Sequence, residues 1–127
     1  MAKSPAAIIY DSSGNPVGVV LDGSTYRLQV EAAMQKPATA TTSSVAASAS
    51  SVTLLAANSS RIGATVYNDS VSNNLYVLLG TGPVTTSLFT VILLKNGGYY
   101  EVPYGYTGNI LGIWDGIIGY AQITELT

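Results

Sequence analysis

From residue 52 to residue 127 the chain is built of short runs of β-branched, aliphatic and aromatic residues, each closed by a cluster of Gly, Asn, Asp, Ser or Pro. Punctuation this frequent leaves no room for a helical stripe and selects short strands. In "RIGATVYNDS", Ile62, Ala64 and Val66 fall on one face and Gly63, Thr65 and Tyr67 on the other, the mark of a half-buried strand. Leu75, Val77 and Leu79 share a face in "NNLYVLLG", after the turn "NDSVSNN", whose Asn and Asp side chains can bond nearby backbone groups. In "GYAQITEL", Ala121 and Ile123 point inward against Gln122 and Thr124. Counting "SVTLLAA" as the first, the region holds about seven strands at the spacing of a β-sandwich or jelly-roll-like domain.

The strongest local signal is "TTSLFTVILLKNGGYYEVP", where Asn96-Gly97 lies between two strand-like segments as a hairpin turn requires. The apolar run at residues 90–94 is expected to be buried on both faces or paired at its edges. Left open, it would be an aggregation-prone edge with only Lys95 as gatekeeper.

The front of the chain has its own strand pattern, in which "DSSGNP" and "LDGS" are turns between pieces carrying Ile8, Ile9, Val17, Val19, Val20, Leu21, Leu28 and Val30. Two or three short strands cannot bury that much apolar surface alone, so this β-hairpin arm is expected to anchor on a partner. Ile8, Ile9, Val17, Val19, Leu21, Leu28 and Val30 are the candidate anchor residues. "VEAAMQK", residues 30–36, is the one helix candidate, marginal at that length and equally readable as extended chain. The tract at residues 37–51, "PATATTSSVAASASS", is nearly all small and hydroxylated. Its expected role is a linker, able to span ~50 Å if extended. The alternative is a polar first strand of the sandwich, given the β preference of Thr and Val, and from Ser44 onward strand fits either role. The expected organisation is thus arm at 1–36, linker at 37–51 and sandwich at 52–127.

Of the 127 residues 47% are hydrophobic and only 9% charged, against roughly 25% charged in an average soluble domain. A surface so poor in charge is weakly protected against self-association, and much of it is expected to be covered by partner subunits. The alternative is a monomer kept soluble by hydroxyls and amides. Lys3, Arg27, Lys36, Arg61 and Lys95 are scattered and the net charge is −2, so nucleic-acid binding by phosphate neutralisation is not expected. Without cysteine, disulfides and thiolate metal sites are excluded. "MAKSPAAIIYD" is too short in apolar residues for a signal peptide, and no run approaches the ~18 residues of a membrane span. The expected place of synthesis and residence is the cytosol.

The absence of histidine excludes Ser-His-Asp and Cys-His catalysis and His-based metal sites. Among seven carboxylates, Asp69, Glu101 and Asp115 lie near aromatic residues, but surface carboxylates are usually solvated, and no catalytic pair is assigned. "YNDSVSNN" lacks the spaced acids of an EF-hand and reads as a turn. "GTGPVTTS" has neither the Lys nor the following helix of a phosphate loop. Neither an enzyme activity nor a cofactor is expected. Tyr99, Tyr100, Tyr104, Tyr106 and Trp114 cluster beside Glu101 and Asp115. Core or interface packing is favoured over sugar stacking, with Tyr104, Tyr106 and Trp114 the candidate interface or glycan residues.

"SSRIGATVYNDSVSNNLYVLLG" at residues 59–80, "YYEVPYGYTGNILGIW" at 99–114 and the final "AQITEL" together resemble small structural proteins of tailed bacteriophages, of the head decoration, head fibre or minor virion type. The front "DSSGNPVGVVLDGSTYRLQVEA" looks like the N-terminal segment that precedes such domains. The likeness covers most of the chain. It implies a β-rich, non-enzymatic homotrimer without a cofactor, bound to the major capsid protein or another virion protein and assembled into the virion in the host cytoplasm. The chain is short for a tail fibre, which favours the head. A tail or baseplate component is the alternative within that class, and a carbohydrate-binding module using Tyr104, Tyr106 and Trp114 is the alternative outside it.

Overall fold

The computed structural model describes residues 9–10, 12–17, 19–22, 25–28 and 34–127, which fall into two compact units divided between Met34 and Gln35. In the first unit, β1 (Ile9–Tyr10) pairs antiparallel with β2 (Pro16–Val17), placing Ile9 opposite Val17. Gly14, at φ +82°, supplies the left-handed backbone that this turn needs. β3 (Val19–Asp22) pairs with β4 (Thr25–Leu28), Val19 opposite Leu28 and Leu21 opposite Tyr26. The two expected turns therefore each join a β-pair. Ile8, Val30 and most of the helix candidate at 30–36 lie outside the described residues, and residues 34–36 carry no regular structure.

The second unit is all-β. Its eight strands are β5 (Ala40–Ala46), β6 (Val52–Leu55), β7 (Gly63–Asn68), β8 (Leu75–Leu79), β9 (Val91–Leu93), β10 (Tyr99–Val102), β11 (Ile110–Trp114) and β12 (Tyr120–Leu126). They form two four-stranded antiparallel sheets, in the orders β10-β7-β12-β5 and β6-β11-β8-β9. The sheets pack together as a β-sandwich around Ala64, Val66, Val102, Ala121 and Ile123 from the first and Leu54, Leu75, Val77, Leu93, Ile110 and Trp114 from the second. The alternation expected in β7, β8 and β12 is the one that fills this core.

Three expectations need correction. The tract at 37–51 is not only a linker: residues 40–46 form β5, paired along their whole length with β12, from Ala40 opposite Leu126 to Ala46 opposite Tyr120. Thr and Val favour extended backbone, and β12 offers a free edge, which suffices to order a tract without large side chains. The boundary accordingly falls at 34/35. The run at 90–94 is not buried on both faces, because β9 is an edge strand paired only with β8, with Leu93 in the core and Ile92 and Leu94 exposed. Asn96 and Gly97 do adopt positive φ, +65° and +104°, as a tight turn requires. The strands they join nevertheless enter opposite sheets, so the turn forms an arch between layers instead of a hairpin. Asn96 N–H donates to Ser70 O and Lys95 N–H to Asn74 Oδ1, fixing the arch to the β7–β8 loop.

Candidate interaction surface

The strand registers give the sandwich two unlike outer faces. On the first sheet, Tyr99, Tyr67, Gln122 and Ser44 lie side by side across four strands, and Glu101, Thr65, Thr124 and Thr42 form the next row. Hydroxyls, amides and one carboxylate suit that face to water. On the second sheet the inward phase of β11 and β8 is taken by Ile110, Trp114, Leu75 and Val77, so Leu111, Ile113, Tyr76 and Leu78 point outward. Ile113 lies opposite Tyr76 and Tyr76 opposite Ile92, while Leu111 lies opposite Leu78. Phe89 from the β8–β9 loop meets Tyr76 edge-on at 5.2 Å between centroids. Leu88 in the β8–β9 loop and Leu94 just after β9 are 59% and 63% exposed.

These outward side chains carry no charge. Leu111, Ile113, Tyr76 and Leu78 are partly buried, and Gly82 of the β8–β9 loop lies against the Leu111 side chain, so the chain itself covers part of this face. A fully buried Val, Leu or Ile contributes roughly 1.5–3 kcal/mol, and the uncovered part forfeits some of that. A contiguous apolar sheet face is the usual chemistry of a protein contact.

The structure separates the three aromatic candidates. Trp114 is 1% exposed, within the core, and its Nε1–H donates to Asn68 Oδ1 at 3.3 Å. It cannot offer a ring face to a sugar or a partner, which removes it from the candidate set. The inward phase of β11 put it there, because a residue in register with Ile110 and Gly112 points between the sheets. Tyr106 packs partly against the core and its hydroxyl donates to Asn109 O at 2.9 Å, so it closes the β10–β11 loop. Tyr104 is 57% exposed. With Pro37, Thr65, Glu101 and Leu126 it lines a shallow cleft of about 150 Å³, and its hydroxyl donates to Gln35 O at 3.2 Å. The structure therefore does not bring the three together on one surface.

No protein-family model, characterised protein or solved structure matches this chain.

Two of the carboxylates near the aromatic group hold loops. Asp69 accepts from Tyr120 N–H at 2.6 Å and Gln122 Nε2 at 2.9 Å. Asp115 accepts from Asn73 Nδ2, Asn74 N–H and Asn74 Nδ2. Glu101 is exposed at the cleft. Among the described residues, no three of His, Cys, Asp and Glu are grouped to hold a metal, and no helix is long and apolar enough to cross a membrane.

Sequence reasoning missed two buried polar groups that shape this surface. Asn68 donates from Nδ2 to Leu93 O and Asn73 O and accepts from Ser70 N–H, tying β7 to the edge strand β9. Its signal was its place in the inward phase of β7 after Ala64 and Val66. Arg61, fully buried, donates to Glu125 Oε1 at 2.7 Å, Gly108 O at 2.7 Å and Ala56 O. Nothing in the sequence around Arg61 marks it for burial, since Arg is almost never fully buried unless paired and its partner Glu125 lies far away in the chain.

Proposed function

We propose that the protein is a non-enzymatic structural subunit of a tailed-bacteriophage virion, a capsid decoration or head-fibre protein attached through residues 1–34. The observation that carries the assembly role is the uncharged apolar outer face of the β6-β11-β8-β9 sheet. A subunit that packs against a neighbour gains from such a face, whereas an isolated soluble protein would be penalised by it. The resemblance of residues 59–80 and 99–114 to virion proteins supplies the biological setting. The separate first unit, two β-pairs carrying Ile9, Val17, Val19, Leu21 and Leu28, is the attachment arm, since short β-pairs need a partner to be stable. The major capsid protein is the proposed partner.

The test images gold-labelled protein on purified particles, with the full chain and with a chain lacking residues 1–34. The full chain should decorate capsids, while the truncated chain should fold yet stay in solution. Decoration at tails would relocate the subunit to the tail or baseplate, and normal decoration by the truncated chain would dismiss the arm. Absence from particles, together with retention on a glycan array that Tyr104→Ala abolishes, would replace the proposal with sugar binding at the Tyr104–Glu101 cleft.

A further inference from the structure

Four strands form the edges of the sandwich: β10 and β5 in one sheet, β6 and β9 in the other. β9 has three residues, β6 has four, and β10 has four including Glu101. β5 has seven residues, and no charged residue occurs between Lys36 and Arg61. Proteins usually protect an edge of this length with a charge, a proline or a bulge. β5 has none of these, and its pairing with β12 runs without a register shift.

The hydrogen-bond phase of this edge can be read directly. Thr39 and Thr127 exchange both backbone bonds at 2.9 Å, and Ala47 N–H donates to Gly119 O at 2.9 Å. In an antiparallel ladder such pairs recur at every second residue. Residues 41, 43 and 45 therefore face β12, and Ala40, Thr42, Ser44 and Ala46 turn their N–H and C=O groups to the open side.

We infer that this edge pairs with the same edge of a second copy, β5 against β5 about a two-fold axis at Ser43. That register sets Ala40 opposite Ala46, Thr42 opposite Ser44 and Ser43 opposite its own copy, so every outward-facing N–H and C=O meets a partner. Thr41 falls opposite Val45, and no cross-strand pair brings charge or bulk together. A residue and its opposite share the same parity, so inner faces stay inner. The two four-stranded sheets become one sheet of eight strands.

A second copy fits better than a foreign strand because strand addition gains selectivity from pockets for alternate side chains, and the residues lining the Tyr104 cleft lie on or beside β7, β10 and β12 and at Pro37, none of them on β5. Inner-face Thr41 and Ser43 are also exposed on β5, which leaves the sandwich unfinished at that edge until another sheet continues it. This inference does not depend on a virion location, and it sets a two-fold contact in place of the three-fold one that the resemblance implies.

Two variants of the full chain test it. Sedimentation velocity over a wide concentration range should show a dimer for the unaltered chain. Thr42→Pro removes one outward N–H without touching the ladder to β12, and this chain should stay monomeric where the unaltered one is fully dimeric. In Ser43→Cys the two sulfurs would sit at a non-hydrogen-bonded pair with Cα atoms about 4.5 Å apart, within reach of a disulfide. The chain has no other cysteine, so mild oxidation should give covalent dimers far faster than in a Ser87→Cys control at an exposed loop. A monomer at every concentration, a dimer that Thr42→Pro leaves intact, or equal cross-linking of the two cysteine variants would each overturn the pairing.

Discussion

The Trp114 indole N–H and the Asn68 side-chain oxygen meet at 3.3 Å between the two sheets, and both residues are fully buried. The contact makes the largest core side chain part of the polar network that holds the β7–β8 loop. Trp114→Ala should cost about 3–5 kcal/mol through lost burial and a cavity. Trp114→Phe keeps most of the volume and loses the hydrogen bond, so about 1–3 kcal/mol is expected. Urea unfolding followed by circular dichroism measures both. A Trp114→Phe variant as stable as the unaltered chain would mean that the hydrogen bond contributes nothing.

Arg61 joins three segments, since its guanidinium reaches Glu125 on β12 and the carbonyls of Ala56 and Gly108. Arg61→Met takes the charge partner from a mostly buried carboxylate, which keeps only the bond from Asn58 Nδ2 at 3.2 Å, and a donor from two carbonyls. A loss on the order of 3 kcal/mol is expected, and Arg61→Lys should recover it only in part because one ammonium cannot serve three divergent acceptors. Full recovery by lysine in thermal melts would refute the three-way role.

Two glycines with positive φ separate backbone strain from crowding. A Cβ at Gly105, φ +76°, would meet nothing within 4 Å, whereas one at Gly119, φ +104°, would lie 2.5 Å from Ser70 Cβ and 2.6 Å from its Cα. Gly105→Ala should cost about 1–2 kcal/mol, and Gly119→Ala clearly more. Comparable melting temperatures for the two variants would show that the Ser70 loop yields.

Burial pushes the Tyr100 phenol above its usual value of 10.0. The unfolded chain releases this proton first as pH rises, so the contribution of Tyr100 is whole below pH 10.0 and is lost progressively between the unfolded and the folded value. Stability measured across that window should fall less steeply in Tyr100→Phe than in the unaltered chain. An identical slope would show that the phenol gains its freedom before unfolding.

What was legible in the sequence follows the contrast between the two faces of each strand. β7 and β12 set apolar against polar or small residues, and β8 lies between clear turns, so their inward residues could be named. β11 reads Ile-Leu-Gly-Ile-Trp, apolar in both phases, so alternation could not place Trp114 inside. β9 was misjudged for a related reason: an apolar run looks the same whether its second face meets a core or is left exposed at the edge of a sheet. β5 was legible only as the alternative reading of the tract, a polar first strand, because its hydroxyl side chains suit a solvated linker as well as an edge strand, and the choice depended on a β12 edge eighty residues away in sequence. Pairing at that distance leaves no local trace.

The central position of β12 in its sheet has a consequence for how the unit is made. It is the last of these strands in chain order, yet β7 and β5 both depend on it, one on each side. During translation, β5 and β7 leave the ribosome with no partner between them, and the sheet closes only after residue 126 has emerged. Contacts of such long sequence separation slow folding. A nascent chain stalled before β12 would expose both neighbouring strand edges and the apolar residues of the unfinished core, which makes this stage the one at which chaperone protection matters most.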